Sequence, residues 1–391
     1  MTACYESPVN GSHGSYFNTL TPTYYPPNGD CSDFYVPIHL DYEQPDLNIT
    51  KWTNPYELQD FLSSLTARAG AMNPQQAPFG ATKRFTGDYE IAASFCTPKK
   101  PKDGKEKVVI MATHGIGPAR SHWNSPYKPD EFNFVKFALE KGYSVFFYDR
   151  LGCGASSRIS GFEATLSTAS AVIKTLATSL KQGKYTAHIK PSKLVLLGFS
   201  FASFTIHSTI AESPSIADAV ILTGIGLNAT AGLGLNPNGL IRSFVPRIAN
   251  VENPALYGDR DEGYVTWPSV FDLIMNYFKA PFFAPETATF TESAKEPYAI
   301  GELLTFPGPA SISAEKWDKP ALHLTGEKDY IACDGDCAKD GIYETPSREY
   351  YKNARPLQLS VHPGASHHVN FHANATGAFE VITAFLDANV H

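Results

Sequence analysis

The sequence predicts an α/β protein: a mostly parallel central sheet covered by helices on both faces, with an inserted cap and an N-terminal arm. Three observations carry this. Short apolar runs bounded by turn residues alternate with amphipathic stretches of helical spacing from residue 107 onward. The alternation breaks between residues 224 and 316, where aromatic residues crowd together. Before residue 60 the chain is rich in Tyr, Pro, Asn and Gly and shows little periodicity.

Taken in order, residues 1–84 are expected to form the arm and early strands, laid over the core. Residues 85–97 read as an early strand pair. The core runs from 85 to 224. Lys107–Thr113 is an apolar strand, Asn133–Lys141 a helix closed by Gly142, and Tyr143–Tyr148 a second strand. Phe162–Lys181 is a long helix, Lys193–Leu197 a strand, Phe201–Glu212 a helix and Ala219–Thr223 a strand. The insert, 225–316, carries one plausible helix at Trp267–Lys279. Its position puts it over the carboxyl ends of the strands, and Trp267, Phe271 and Phe278 are the aromatics expected to line a pocket beneath it. The core resumes at 317–391, with strands Ala321–Thr325 and Leu357–His362 and a closing helix Ala378–Ala388.

Composition narrows the function. The formal net charge of −7 comes with no basic run and no Lys/Arg stripe interleaved with aromatics, which argues against nucleic acid. The mixed-sign cluster Lys99–Lys107 reads as a solvated loop. No apolar run approaches the ~20 residues that span a bilayer, and the N-terminus lacks the apolar core of a signal peptide. The chain therefore reads as soluble: cytoplasmic as written, or secreted if a signal peptide has been trimmed. Sequons begin at Asn10, Asn48, Asn228 and Asn374, and Cys333 and Cys337 are close enough to bridge, but neither observation decides the compartment. The sequence does not pair Cys4, Cys31, Cys96 or Cys153, nor does it fix the oligomeric state. No Cys/His spacing resembles a metal site, and no cofactor is implied.

The chemistry centres on Leu194-Val195-Leu196-Leu197-Gly198-Phe199-Ser200-Phe201-Ala202-Ser203. A buried strand, a Gly-x-Ser turn and small residues opening a helix project the Ser200 hydroxyl from a sharp corner. A serine there can instead cap the helix; the preceding Gly198 and the strand-to-helix switch favour a nucleophile. Asp329, in the loop after Ala321–Thr325, is the candidate orienting acid, with Asp334, Asp336 and Asp340 as rivals. His367, after Leu357–His362, is the candidate base, and adjacent His368 is spaced equally well. His372 is assigned to the packing of the following segment. Backbone N–H groups of Ile116 and Phe201 are expected to hold an oxyanion, with His114 and Asp149 structural.

The ordered set Thr113-His114-Gly115-Ile116-Gly117, Asp149-Arg150-Leu151-Gly152-Cys153-Gly154-Ala155-Ser156, Gly198-Phe199-Ser200-Phe201-Ala202-Ser203, Gly326-Glu327-Lys328-Asp329 and Gly364-Ala365-Ser366-His367 resembles the α/β-hydrolase superfamily. More narrowly, it is similar to a fungal group with a Tyr/Pro-rich arm and a segment like Cys31–Ile38, some members of which serve secondary metabolism. That group carries a Gly-His-Ser-Tyr-Gly-Ser elbow; here Phe199, Phe201 and Ala202 replace three of its residues, implying a more apolar substrate. The resemblance implies the α/β-hydrolase fold and a serine hydrolase acting on an apolar ester, lactone or thioester. The alternatives are an acyltransferase, cyclase or lyase of natural-product biosynthesis, and a non-catalytic ligand-binding relative.

Overall fold

The computed structural model describes residues 24–67, 79–227, 237–306 and 308–390. Cys4, the sequons at Asn10 and Asn228 and the first part of the arm lie outside them. Strand β1 (Gly29–Leu47) pairs antiparallel with β2 (Phe79–Pro98) along almost its whole length, from Gly29 opposite Pro98 to Leu47 opposite Phe79. This corrects the expectation of an irregular arm and of a strand pair within 85–97. Val36, Ile38 and Leu40 alternate into the core, and Pro37 is tolerated because β1 is an edge strand. Cys31 is disulfide-bonded to Cys96 in the facing strand. Between the two strands runs helix α1 (Pro55–Leu65), whose N-cap Asn54 accepts from Tyr56 and Glu57 N–H.

The core follows as β3 (Val108–Thr113), α2 (Pro129–Phe132), α3 (Phe134–Lys141), β4 (Ser144–Tyr148), α4 (Leu166–Lys181), β5 (Lys193–Phe199), α5 (Phe201–Glu212) and β6 (Ala219–Thr223). Helix α4 starts at Leu166 rather than Phe162 because Thr165 and Thr168 form a reciprocal capping box. Residues 237–306 supply α6 (Pro237–Phe244), β7 (Arg247–Ile248), α7 (Ala249–Glu252), α8 (Pro254–Tyr257), β8 (Tyr264–Thr266), α9 (Val270–Tyr277), α10 (Pro285–Ser293), β9 (Tyr298–Ala299) and α11 (Ile300–Thr305). Strands β7, β8 and β9 form a small antiparallel sheet of their own. The chain returns as β10 (Ala321–Gly326), α12 (Tyr330–Cys333), α13 (Glu344–Tyr350), β11 (Leu357–His362) and α14 (Ala375–Asn389).

The main sheet has eight strands in the order β1-β2-β4-β3-β5-β6-β10-β11. Strands β4, β3, β5, β6, β10 and β11 run parallel; β2 pairs antiparallel with β4 and β1 antiparallel with β2 at one edge. Val109–Ala112 and Leu194–Leu197 are almost wholly buried, as strands covered on both faces must be. Helix α3 packs with α14, and α4 with α5, giving the two flanking layers. The strand order reverses beside β3, between β4 and β5, so loops from neighbouring strands diverge there and leave a crevice at their carboxyl ends. Among the described residues, no helix is long and apolar enough to cross a membrane.

Candidate active site

Ser200 follows β5 with φ 54° and ψ −119°, in the left-handed half of backbone space where a non-glycine residue costs about 1–3 kcal/mol. The bend is held by the Ser200 N–H, which donates to Thr223 O at 2.9 Å. Its side chain does not cap α5. Instead the hydroxyl lies 2.8 Å from His367 Nε2. The other ring nitrogen of His367, Nδ1, faces both Asp329 carboxylate oxygens at 2.9 and 3.0 Å. An ionised carboxylate only accepts, so the proton sits on Nδ1 and Nε2 is free to accept from the serine.

Asp329 is anchored from two further sides, by the Thr325 hydroxyl at 2.7 Å and the Ala332 N–H at 2.8 Å. Burial pushes this carboxyl up, but the charge and hydrogen bonds of His367, with the Ala332 and Thr325 bonds, outweigh it and hold Asp329 below its ordinary value. The disulfide Cys333–Cys337 closes the loop that follows. Asp334, Asp336 and Asp340 are exposed. His368, the alternative base, faces away from Ser200 and lies against His122, its Nε2 3.1 Å from His122 Nδ1. The two neighbours are sorted by the loop: His372 Nε2 accepts from Ser366 N–H, His372 Nδ1 bonds His368 O, and His368 N–H donates to Tyr277 O at 3.0 Å. His372 is thus a brace of the histidine loop, not of the segment after it.

The loop after β3 lies against the nucleophile. A Cβ on Gly115 would fall 2.8 Å from Phe199 O and 2.9 Å from Ser200 Cβ, so only glycine fits. The Gly115 carbonyl receives His114 Nδ1 at 2.9 Å and Arg150 Nη2 at 3.2 Å, while His114 Nε2 accepts from Arg150 N–H. In a trans peptide the N–H opposes the C=O, so tying off this carbonyl turns the Ile116 N–H the other way. Among the described residues, neither Ile116 N–H nor Phe201 N–H, the first amide of α5, donates to a backbone carbonyl. Arg150 is itself buried, paired with Glu302 of α11, and its guanidinium lies 4.7 Å from the Phe201 ring. Asp149 accepts from Arg120 and Ala155 N–H and fixes the turn beside it.

The insert reaches this loop directly. The Tyr277 hydroxyl donates to Ile116 O at 2.8 Å, and Glu296 N–H to Gly117 O at 2.5 Å. Tyr277 also sets its ring edge-on to His367, 5.2 Å between centroids. Nothing in the sequence marks Tyr277, Arg150 or Glu302 for this; only the i, i+4 spacing of Leu273 and Tyr277 on one face of α9 hints at it. A narrow cleft, partly open to solvent, lies beside Tyr277, bounded by Gly117, His122, Trp267, Phe290, His368 and Phe371 among others. Trp267 lines it, its indole against Gly117. Phe278 does not: it is buried against Phe283, His368 and His372. Phe271 does not either, being 76% exposed. The predicted helix spans Val270–Tyr277 only, which puts Leu273 and Tyr277 inward and Phe271 and Met275 outward. Ser200, His367 and Asp329 do not line the cleft; Tyr277, which does, also contacts the His367 ring. Among the described residues, no group of three or more His, Cys, Asp or Glu is arranged to hold a metal ion.

Comparison with known proteins agrees with this architecture. No curated protein matches the chain by sequence. A thermophilic esterase from Thermogutta terrifontis superposes with a TM-score of 0.50 at 17% identity, covering 76% of this chain and 94% of that one. A putative lipase from Acinetobacter baumannii does so with a TM-score of 0.50 at 15% identity, over 76% of this chain and 88% of that one. At such identities the likeness is one of fold. The family model described as "Alpha/beta hydrolase family" matches residues 109–378, well over half of the sequence, and the chain belongs to that family.

Proposed function

We propose that this protein is a serine hydrolase that cleaves an ester, lactone or thioester of an apolar small molecule through an acyl-enzyme on Ser200. The observation that carries it is the unbroken, buried line from Ser200 Oγ through His367 to Asp329. In this reading Ser200 Oγ attacks the substrate carbonyl carbon while His367 Nε2 takes its proton. The carbonyl electron pair becomes an oxyanion held by the Ile116 and Phe201 N–H groups, each such donor contributing about 2.7–4 kcal/mol. Collapse breaks the bond to the leaving group, which receives the proton from His367; water then repeats the sequence in reverse and releases the acid. Asp329 holds the imidazole in its tautomer and stabilises the imidazolium. No cofactor takes part. The aromatic residues of the 225–316 insert act as a cap that keeps water from the site, and the resemblance to a fungal group supports a substrate from secondary metabolism.

The test is pre-steady-state hydrolysis of p-nitrophenyl hexanoate. The reading expects a p-nitrophenol burst stoichiometric with enzyme and a mass increase of one hexanoyl group. Release with neither burst nor acyl adduct on Ser200, or no release at all, rejects it. Tyr277→Phe removes only the hydroxyl that holds Ile116 O. The expected outcome is a fall in kcat of about tenfold, one hydrogen bond's worth, with KM changed less than twofold; a change confined to KM would place Tyr277 in binding instead.

A further inference from the structure

The proposed mechanism gives Arg150 no part, yet the contacts of this residue converge on the oxyanion site. Its backbone N–H donates to His114 Nε2 at 3.0 Å, which puts the His114 proton on Nδ1, and Nδ1 donates to Gly115 O at 2.9 Å. The side chain reaches the same atom, Arg150 Nη2 donating to Gly115 O at 3.2 Å. Arg150 thus secures that carbonyl twice, once directly and once through a neutral imidazole. Burial, then the Arg150 charge itself, lowers His114 well below its ordinary value and keeps it uncharged. The guanidinium also lies 4.7 Å from the ring centroid of Phe201, the residue whose N–H is the other proposed donor.

Both Arg150 and its partner Glu302, in α11 of the insert, are buried. A buried ion pair adds little stability, because desolvation offsets most of its attraction, so its place against Gly115 O calls for another reason. Ile116 stands between two glycines, and Gly117 has a φ of 95°. Its two flanking peptides are therefore turned by what their carbonyls bond. Ile116 O is held by the Tyr277 hydroxyl, and Gly115 O by Arg150 and His114. Tyr277 and Glu302 both belong to the insert, which sets one peptide directly and the other through Arg150. A charged donor bonds a carbonyl more strongly than a neutral one, and the polarised peptide then offers a better N–H on its opposite side. We propose that Arg150, held by Glu302, is a positioning residue of the oxyanion site, fixing the direction of the Ile116 N–H and strengthening it as a donor. In this role Arg150 acts only through the Gly115–Ile116 peptide and through the packing of Phe201.

Because only acyl transfer forms this oxyanion, the role rests on the hydrolase reading. The test compares p-nitrophenyl hexanoate with its thiono analogue, in which sulfur replaces the carbonyl oxygen. Sulfur is a larger and weaker acceptor, so the donors contribute little to its reaction, and the ester-to-thionoester rate ratio reports on them. Arg150→Gln/Glu302→Gln removes the charge without leaving its partner buried and unpaired. Its p-nitrophenol burst should be slower by about 30-fold, less than the loss of a donor outright. The half-saturating ester concentration should change less than twofold, and the ratio should fall about tenfold. Arg150→Lys keeps a charge opposite Glu302 but lacks the guanidinium fork, and serves if the double variant does not fold. Its ratio is expected to fall at least threefold. A folded variant of either kind whose ratio stays within twofold of wild type, however slow it is, would make Arg150 merely structural and overturn the proposal. A loss confined to the half-saturating concentration would do the same. A wild-type protein without a burst rejects the acyl-enzyme and this role with it, whereas a normal burst with an unchanged ratio in the variants rejects the role alone.

Discussion

Ser200→Ala, His367→Ala and the double variant are each expected to lower kcat for ester hydrolysis by about 10^6-fold, the double no worse than either single. The equality follows from the geometry. Ser200 Oγ and His367 Nε2 share one 2.8 Å hydrogen bond, so removing either leaves the other without its function. What survives is catalysis by the oxyanion donors and by binding, which neither change touches. Steady-state rates with a p-nitrophenyl ester decide it. Additive losses in the double variant, or a His367→Ala protein within tenfold of wild type, would mean that the two residues do not act as a unit.

Acid is expected to unfold the protein well above the carboxylate range. Burial lowers His122 and His323 to about 3, His207 and His372 to about 4, and His114 and His368 well below their ordinary value. In the unfolded chain each titrates near 6.5, so between 6.5 and the folded values the unfolded state binds more protons. Stability is complete above about pH 6.5 and is lost as pH falls towards those lower values. At pH 5 each such imidazole accounts for up to about 2 kcal/mol, since a pH unit is worth about 1.4 kcal/mol. The four lowered to about 3 or 4 together approach about 8 kcal/mol, comparable with the whole stability of an ordinary domain, and His114 and His368 act in the same direction. Calorimetry from pH 7.5 to 5 should show a fall in Tm on the order of 15 °C. A Tm that stays level over that interval would mean that these histidines are solvated or charged in the fold.

The contrast between what the sequence revealed and what it hid has a physical basis. Ser200 was legible because its environment is local: strand, turn and helix are consecutive in the chain, and Gly198 marks the change. The places of Asp329 and His367 followed from the rule that parallel sheets gather function at their carboxyl ends. The choice between His367 and His368 was not legible. It depends on His372 bracing the loop from beyond and on Tyr277 O capturing the His368 amide from another part of the chain. Strand β1 was hidden by Pro37 and the tyrosines, which mask its period of two; an edge position excuses the proline. Phe271 was misplaced because counting aromatics gives no direction. On a helix, residues 271 and 273 lie on nearly opposite faces, and the shorter span of α9 turned Leu273 inward. Arg150 and Glu302 find each other only through the topology, one at the end of β4 and the other in the insert.

The central claim is that Ser200 is an activated nucleophile, and the most direct test is intact mass after exposure to a fluorophosphonate, for wild type and Ser200→Ala. The account predicts one phosphonyl adduct on wild type, mapped to Ser200, and none on the variant. An unmodified wild type, or an adduct that persists in Ser200→Ala, would contradict it.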